Sequence, residues 1–288
     1  MSEQAVLYDV QGPKARRRVL IGSVVGVLLL VALLAVVIVR LNANGQFDGD
    51  LYSPFVEQPV IYERLLEGLQ NTLKAAAYAL VLASLLGVVL AFGRLSSVPF
   101  LRYPAIGFIE LFRAVPLLLL ILGLFLAYPI LTGSRIDPLW ALVVGLTVYN
   151  GAVIAEIIRA GIQSLPRGQS EAALSIGLQR SQTLRLVLLP QAVRIMLPAL
   201  VSQLVVLLKD TSLGFVISFS ELLRTSQQVV QVLDNPLQLY VLVALIYIVI
   251  NLSLSQFAGY LEGRQRRTMG GGGEKVAPIE GSVGPAQL

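Results

Sequence analysis

The chain contains no cysteine and no histidine in 288 residues. Those two absences remove disulfides, thiolate nucleophiles, His-ligated metals and imidazole acid–base chemistry together. Intramembrane metalloproteases and Ser-His proteases are excluded on the same ground, and no apolar run carries the two aspartates that a paired-Asp protease needs. Charge is scarce as well. Only 14% of residues are charged while 56% are hydrophobic, and mean hydropathy is +0.76. A single soluble core could not hide that much apolar surface, whereas a bilayer accepts it. A phosphate-cradling G-x-x-x-x-G-K-[ST] loop is also missing; the nearest Gly-rich stretch, residues 269–275, lacks the Gly-Lys pair. Nor is there a 20–50-residue repeat or a duplicated half of the kind that builds inverted-repeat transporters.

What is present is a series of long apolar runs, and the composition predicts an all-α polytopic membrane protein. A helix needs about 20 apolar residues to cross a hydrocarbon core about 30 Å thick. Runs at 19–39, 69–92, 105–126, 139–158, 191–208 and 237–257 meet that length, giving about six helices. The first follows Lys14, Arg16, Arg17 and Arg18 without an A-x-A cleavage site, so it reads as a retained accessory helix behind a basic tail, 1–18. Arg94, Arg102, Arg167, Arg180, Arg185, Arg264, Arg266 and Arg267 fall in loops on one side, and most acids, including Asp48, Asp50, Asp137, Glu221 and Asp234, fall on the other. The positive-inside rule then places both termini in the cytoplasm and accounts for the net charge of +5 without nucleic acid. Residues 40–65 read as an extracytoplasmic linker, 66–262 as a five-helix core, and 263–288 as a flexible cytoplasmic tail.

One polar loop, 161–190, interrupts the apolar runs. Within it, QSEAALSIG (169–177) has the makings of a short helix: Pro166 ahead of it, Glu171 toward its positive end, and Gly177 as a left-handed closing residue. Ala172 and Ala173 are small, so a partner could approach that face. The run LQRSQTLRLVLLP after it suggests an interfacial helix ending in a break at Pro190. Spacing alone equally admits an ordinary amphipathic loop helix.

The stretch 149–213, YNGAVIAEIIRAGIQSLPRGQSEAALSIGLQRSQTLRLVLLPQAVRIMLPALVSQLVVLLKDTSL, resembles the permease subunits of ABC importers for polar amino acids. Glu171, Ala172, Ala173, Gly177, Leu189 and Pro190 carry that family's EAA signature, and ELFRAVPLLLL from Glu110 and GLQNTLKAAAYAL from Gly68 resemble its flanking phrases, with Ala114 and Val115 in place of the usual Gly-Thr. The N-terminal extension looks most like the second permease of actinobacterial glutamate importers. The resemblance implies a type I ABC importer transmembrane domain in a bacterial cell membrane, which carries no ATPase site and binds no cofactor itself. ATP and Mg would be handled by a partner ATPase dimer docked on Glu171, Ala172, Ala173 and Gly177. A second permease, identical or related, and an extracytoplasmic amino-acid-binding protein are implied too, with membrane lipid around the whole.

Charged and amide groups at membrane depth are the remaining candidates, because charge in hydrocarbon is costly. Glu110 with Arg113 and Glu156 with Arg159 are i,i+3 neighbours that could pair on one helix face. Arg113, Asn150, Glu156 and Lys209 are the expected path or substrate residues; helix–helix hydrogen bonding by Asn150 and snorkelling by Lys209 are the alternatives. A self-contained ion-coupled transporter or channel would instead draft Glu110 or Glu156 as its ion site.

Overall fold

The structure, a computed structural model, describes residues 12–270, which fall into two units divided between Pro59 and Val60. In the first unit α1 runs Pro13–Ala43, so the basic cluster lies inside the helix rather than in a tail; residues 1–11 of the expected tail lie outside the described residues. Proline suits the first helical turn, and Asn44 closes the far end by donating its side-chain amide to the Arg40 carbonyl at 2.7 Å. A turn with Gly45 at φ 68, a 3-10 turn Gly49–Leu51 and the short helix α2, Ser53–Glu57, complete this unit.

The second unit begins with α3, Val60–Leu95, so residues 60–65 belong to a helix and not to the expected linker. Its buried stripe is made of small residues: Gly68, Thr72, Ala75, Ala76, Ala79, Ala83, Gly87 and Ala91. Small side chains let backbones approach in a bilayer, where apolar bulk alone gives helices little reason to associate. The partner is α6, Pro138–Gln163, whose own small residues Gly145, Gly151, Ala152 and Ala155 are buried. Contact is closest at Gly87, where a Cβ would lie 3.0 Å from the Gly151 carbonyl and 2.6 Å from the Ile154 methyl.

Between them the expected continuous span 105–126 is replaced by two helices, α4 Pro99–Ala114 and α5 Leu117–Thr132, bent by 99°. The cause is local. Pro116 cannot donate to a helix and drives Val115 into extended backbone, φ −84 and ψ 130.

After α6 come α7, Arg167–Ser175, a helical turn Arg180–Gln182, a π-helical turn Thr183–Leu188, and α8, Leu189–Asp210. Pro190 therefore makes no break: the π-helical turn, an irregularity of the kind found where the regular ladder of helix hydrogen bonds is interrupted, runs straight into α8, and 180–217 is one helical run. A 3-10 segment Thr211–Ile217 leads to Ser218 at φ 60 and to α9, Leu222–Leu233; Asp234 at φ 53 then reverses the chain into α10, Pro236–Gly270. Helix α10 thus continues past 263, where a tail was expected, and residues 271–288 of that tail lie outside the described residues. Among the described residues, five helices are long and apolar enough to cross a membrane, six if the bent α4–α5 pair is one span. The core lies where α3, α6 and α8 meet, with α5 and the 3-10 segment closing it through Ile121, Leu142, Leu146, Leu207 and Ile217.

Candidate functional site: the loop helix and the ion pairs behind it

Helix α7 is built to hold one face against its own chain and leave the other open. Pro166 precedes it, and the Gln169 N–H donates back to the Pro166 carbonyl at 3.0 Å. At the other end the Leu178 N–H reaches the Ala173 carbonyl at 3.2 Å while the Gly177 N–H reaches Leu174 at 3.0 Å. This paired closure needs a left-handed residue, and Gly177 supplies it at φ +87. Gln191 of α8 donates to the Gln169 side chain at 3.2 Å, tying the loop to the following span. Glu171 lies in mid-helix, beyond the first turn, and its carbonyl accepts from the Ser175 hydroxyl.

The two alanines of the signature have different surroundings. Ala173 is 4% exposed and buried within the chain, whereas Ala172 and Glu171 face outward. Beside them Leu174 and Ile176 are exposed, Ile176 by 79%. An apolar pair left open on an otherwise polar helix is the mark of a surface that something else covers. Sequence reasoning overlooked these two because they read as ordinary members of an amphipathic stripe.

Directly before α7, the last two turns of α6 carry a charge cluster. Glu156 and Arg159 pair one turn apart as expected, and Arg159 also donates to Gln163. The expected Glu110–Arg113 pair does not form. Arg94, in the last turn of α3, reaches Glu156 of α6 at 3.2 Å and Glu110 of α4 at 3.7 Å. Its planar fork is suited to bridging two carboxylates. Arg113 is exposed. In the sequence Arg94 carries only a topological meaning, because its two partners are remote in the chain.

Asn150 and Lys209 are not brought together. Asn150 is fully buried, donates to the Leu146 carbonyl at 2.9 Å, and accepts from the Gln203 amide of α8 at 2.7 Å. Gln203 fronts a cavity of about 410 Å³ whose lining includes Leu117, Tyr149, Val206 and Asp210. Lys209 opens instead onto a separate groove between α8 and α10. A lone amide in an apolar run was the available signal for Gln203.

Outside the spans, Glu221 is fully buried at the start of α9. It accepts from the Leu223 and Arg224 N–H groups at 2.8 and 2.6 Å and from the Tyr247 hydroxyl at 3.0 Å. Burial nevertheless pushes its carboxyl up to about 7, against the opposing pull of those three donors.

Comparison with known proteins agrees with this geometry. Residues 83–267 match the family described as binding-protein-dependent transport system inner membrane component. The chain is 44% identical over 229 residues to the glutamate transport system permease protein of Corynebacterium glutamicum, covering 78% of this chain and 84% of that one. It is 37% identical to a glutamate/aspartate import permease protein of Escherichia coli, covering 69% of this chain and 92% of that protein. Among solved structures, a chain of an amino acid ABC transporter crystallised with histidines superposes with a TM-score of 0.69 at 33% identity, covering 73% of this chain and 98% of that one. The chain belongs to the binding-protein-dependent transport system inner membrane component family, the permease subunits of ABC importers, and has their type I transmembrane fold.

Proposed function

We propose that this chain forms half of the membrane path of an ATP-driven importer of acidic amino acids, with glutamate as its substrate. A partner ATPase dimer supplies hydrolysis with ATP and Mg, a second permease completes the path, and an extracytoplasmic binding protein delivers the amino acid. Both termini face the cytoplasm, and α1 is an accessory to the five-helix core. The observation that carries the reading is α7: a closed helix with Ala173 anchored inward and Glu171, Ala172, Leu174 and Ile176 left open.

Closure of the ATPase dimer would move α7, and the movement would pass along two routes. One runs through Gln191 into α8. The other runs through Gln163, Arg159 and Glu156 to Arg94, and so to α3 and α4. Packed helices with two discrete arrangements turn such a displacement into alternating access.

For the substrate, the cavity beside Gln203 offers an amide for a carboxylate and Asp210 for an α-ammonium group. The second carboxylate calls for a cation. Arg113, which makes no ion pair among the described residues, stands just ahead of Leu117 of that lining and is the residue we assign to it. The names of the glutamate and glutamate/aspartate permeases above support the same class.

Reconstitution with the ATPase and binding protein in proteoliposomes tests this. ATP-dependent glutamate uptake, competed by aspartate and not by arginine, is expected. Preference for a basic amino acid would remove the substrate assignment and leave the permease standing; ATP-independent uptake by the chain alone would favour an ion-coupled transporter.

A further inference from the structure

Directed hydrogen bonds lead from the backbone of α6 to the cavity beside Gln203. They start at the Leu146 carbonyl, which can only accept. Asn150 must therefore turn its amide nitrogen to that carbonyl, and does so at 2.9 Å. Its Oδ1, an acceptor, is left facing α8, where Gln203 meets it with its own amide nitrogen at 2.7 Å. Leu146 and Asn150 are both fully buried, so solvent does not compete for either. A turned Gln203 would set its Oε1 against Asn150 Oδ1, two acceptors in contact. Asn150 could not turn in answer without setting its oxygen against Leu146. A carbonyl that never reaches the cavity thus dictates the order of atoms in the Gln203 amide.

Helix periodicity puts Gln203 where this order matters. Gln203, Val206 and Asp210 repeat at i, i+3 and i+7 on α8 and line the cavity, together with Tyr149 and Val153 at i and i+4 on α6. Asn150 follows Tyr149 by one position, about 100° further around α6, and so meets α8 instead of the cavity. With its nitrogen committed to Asn150, Gln203 keeps one N–H to donate, and its Oε1 has no partner among the described residues. It offers the cavity an acceptor as well as a donor. An amino acid answers both, since an ammonium group and a carboxylate share its α-carbon. A dicarboxylate without the ammonium answers only the N–H and brings anionic oxygen against Oε1.

We propose, on the reading of this cavity as the substrate path, that Asn150 is a positioning residue that sets specificity: by holding the Gln203 amide in this order, it makes the path favour ligands with an ammonium group beside a carboxylate over plain dicarboxylates. Released from Asn150, the amide would be free to turn its NH2 group into the cavity and serve carboxylate oxygens alone.

The test measures binding of radiolabelled glutamate to the permease–ATPase complex in nanodiscs, without the binding protein. Glutarate, which is glutamate lacking the amino group, is the competitor. The wild type should bind glutamate saturably and prefer it to glutarate. Asn150→Ser keeps a hydroxyl that can donate to the Leu146 carbonyl within its own helix but is too short to reach Gln203. It should cut the preference about tenfold, the low end for one hydrogen bond to a charged group, by weakening glutamate and not glutarate. Equal weakening of both ligands, the mark of a merely structural role, overturns the proposal. Asn150→Asp, whose carboxyl keeps an acceptor toward Gln203, should keep the preference, and its loss there overturns the proposal too. Gln203→Leu leaves α6 untouched and should cut the preference by itself; adding Asn150→Ser to it should change nothing further, and a further loss would show that Asn150 acts elsewhere. Absence of saturable binding by the wild type, or unchanged glutamate affinity in Gln203→Leu, would remove the path reading and this assignment with it. Dependence on Gln203 with an indifferent Asn150→Ser overturns this assignment alone.

Discussion

Replacing Gly177 isolates the closure of α7 from everything else in the protein. Its φ of +87 is a conformation that L side chains rarely adopt, and a Cβ placed there would meet no heavy atom within 4 Å. The whole penalty for Gly177→Ala is therefore backbone strain, about 1–2 kcal/mol. That is small against a folding free energy of about 5–15 kcal/mol, so insertion and core packing should survive. It is large against the local equilibrium that keeps the helix end closed, which should shift about 5- to 30-fold toward open forms. Asn visits the left-handed region more readily than Ala, so Gly177→Asn should fall between Ala and the wild type. Gly177→Asp adds a charge next to the exposed Ile176 and should be the most damaging. The assay is ATP-driven uptake per inserted permease in proteoliposomes, with thermal stability in detergent measured alongside. The expected order of uptake is Gly, Asn, Ala, Asp at near-equal stability. Wild-type uptake by the Ala and Asp variants, normalised to inserted protein, would refute the claim that this closure transmits coupling.

Arg94→Ala should lower both uptake and detergent stability, the latter by about 1–3 kcal/mol, because Glu110 loses its partner and Glu156 keeps only Arg159. Arg94→Lys should rescue little, since one ammonium cannot bridge two carboxylates as the two guanidinium nitrogens do; full rescue in a thermal melt would contradict that geometry. Gly87→Val should destabilise the α3–α6 contact by about 1–3 kcal/mol or block assembly, because the Gly151 carbonyl cannot withdraw, and an unchanged melting temperature would show the approach is looser. For Glu221 the sign follows from a raised folded-state value, about 7 against 4.5. The protonated form is favoured by folding, so its contribution is present below about 4.5 and lost as pH rises through about 7, amounting to about 3 kcal/mol. The melting temperature of the wild type should therefore fall more steeply than that of Glu221→Gln between those two pH values, and parallel profiles would count against a carboxyl raised by burial.

Element type was legible in the chain because it depends on local composition: every long apolar run is helical, and the Pro166-to-Gly177 segment holds a short helix with a left-handed close. Boundaries and contacts were less so. The span expected at 105–126 is two helices because one Val-Pro step outweighs an apolar pattern that continues unbroken across it. Prolines gave an ambiguous signal: Pro116 separates two helices, whereas the chain stays helical through Pro190, directly behind a π-helical turn. Partners of charged side chains were the least legible. Glu110 had an i,i+3 neighbour in Arg113 but bonds to Arg94, which tertiary packing of α3 between α4 and α6 delivers to it. Likewise the Asn150–Gln203 bond joins residues 53 apart, and no periodicity within either helix encodes it. Ala172 and Ala173 are adjacent and identical in sequence, yet only burial by the turns that follow α7 assigns one to the interior.

Because the native chain has no cysteine, Ala172→Cys provides a unique attachment point on the open face of α7. A benzophenone maleimide on that residue, irradiated in membranes holding the assembled importer, reports what covers the helix. The account predicts capture of the ATPase subunit from position 172 and none from a control cysteine replacing Val249 on the exposed side of α10. Failure to capture the ATPase from position 172, in a complex that still imports amino acid on ATP, would contradict the claim that α7 is where this permease receives its drive.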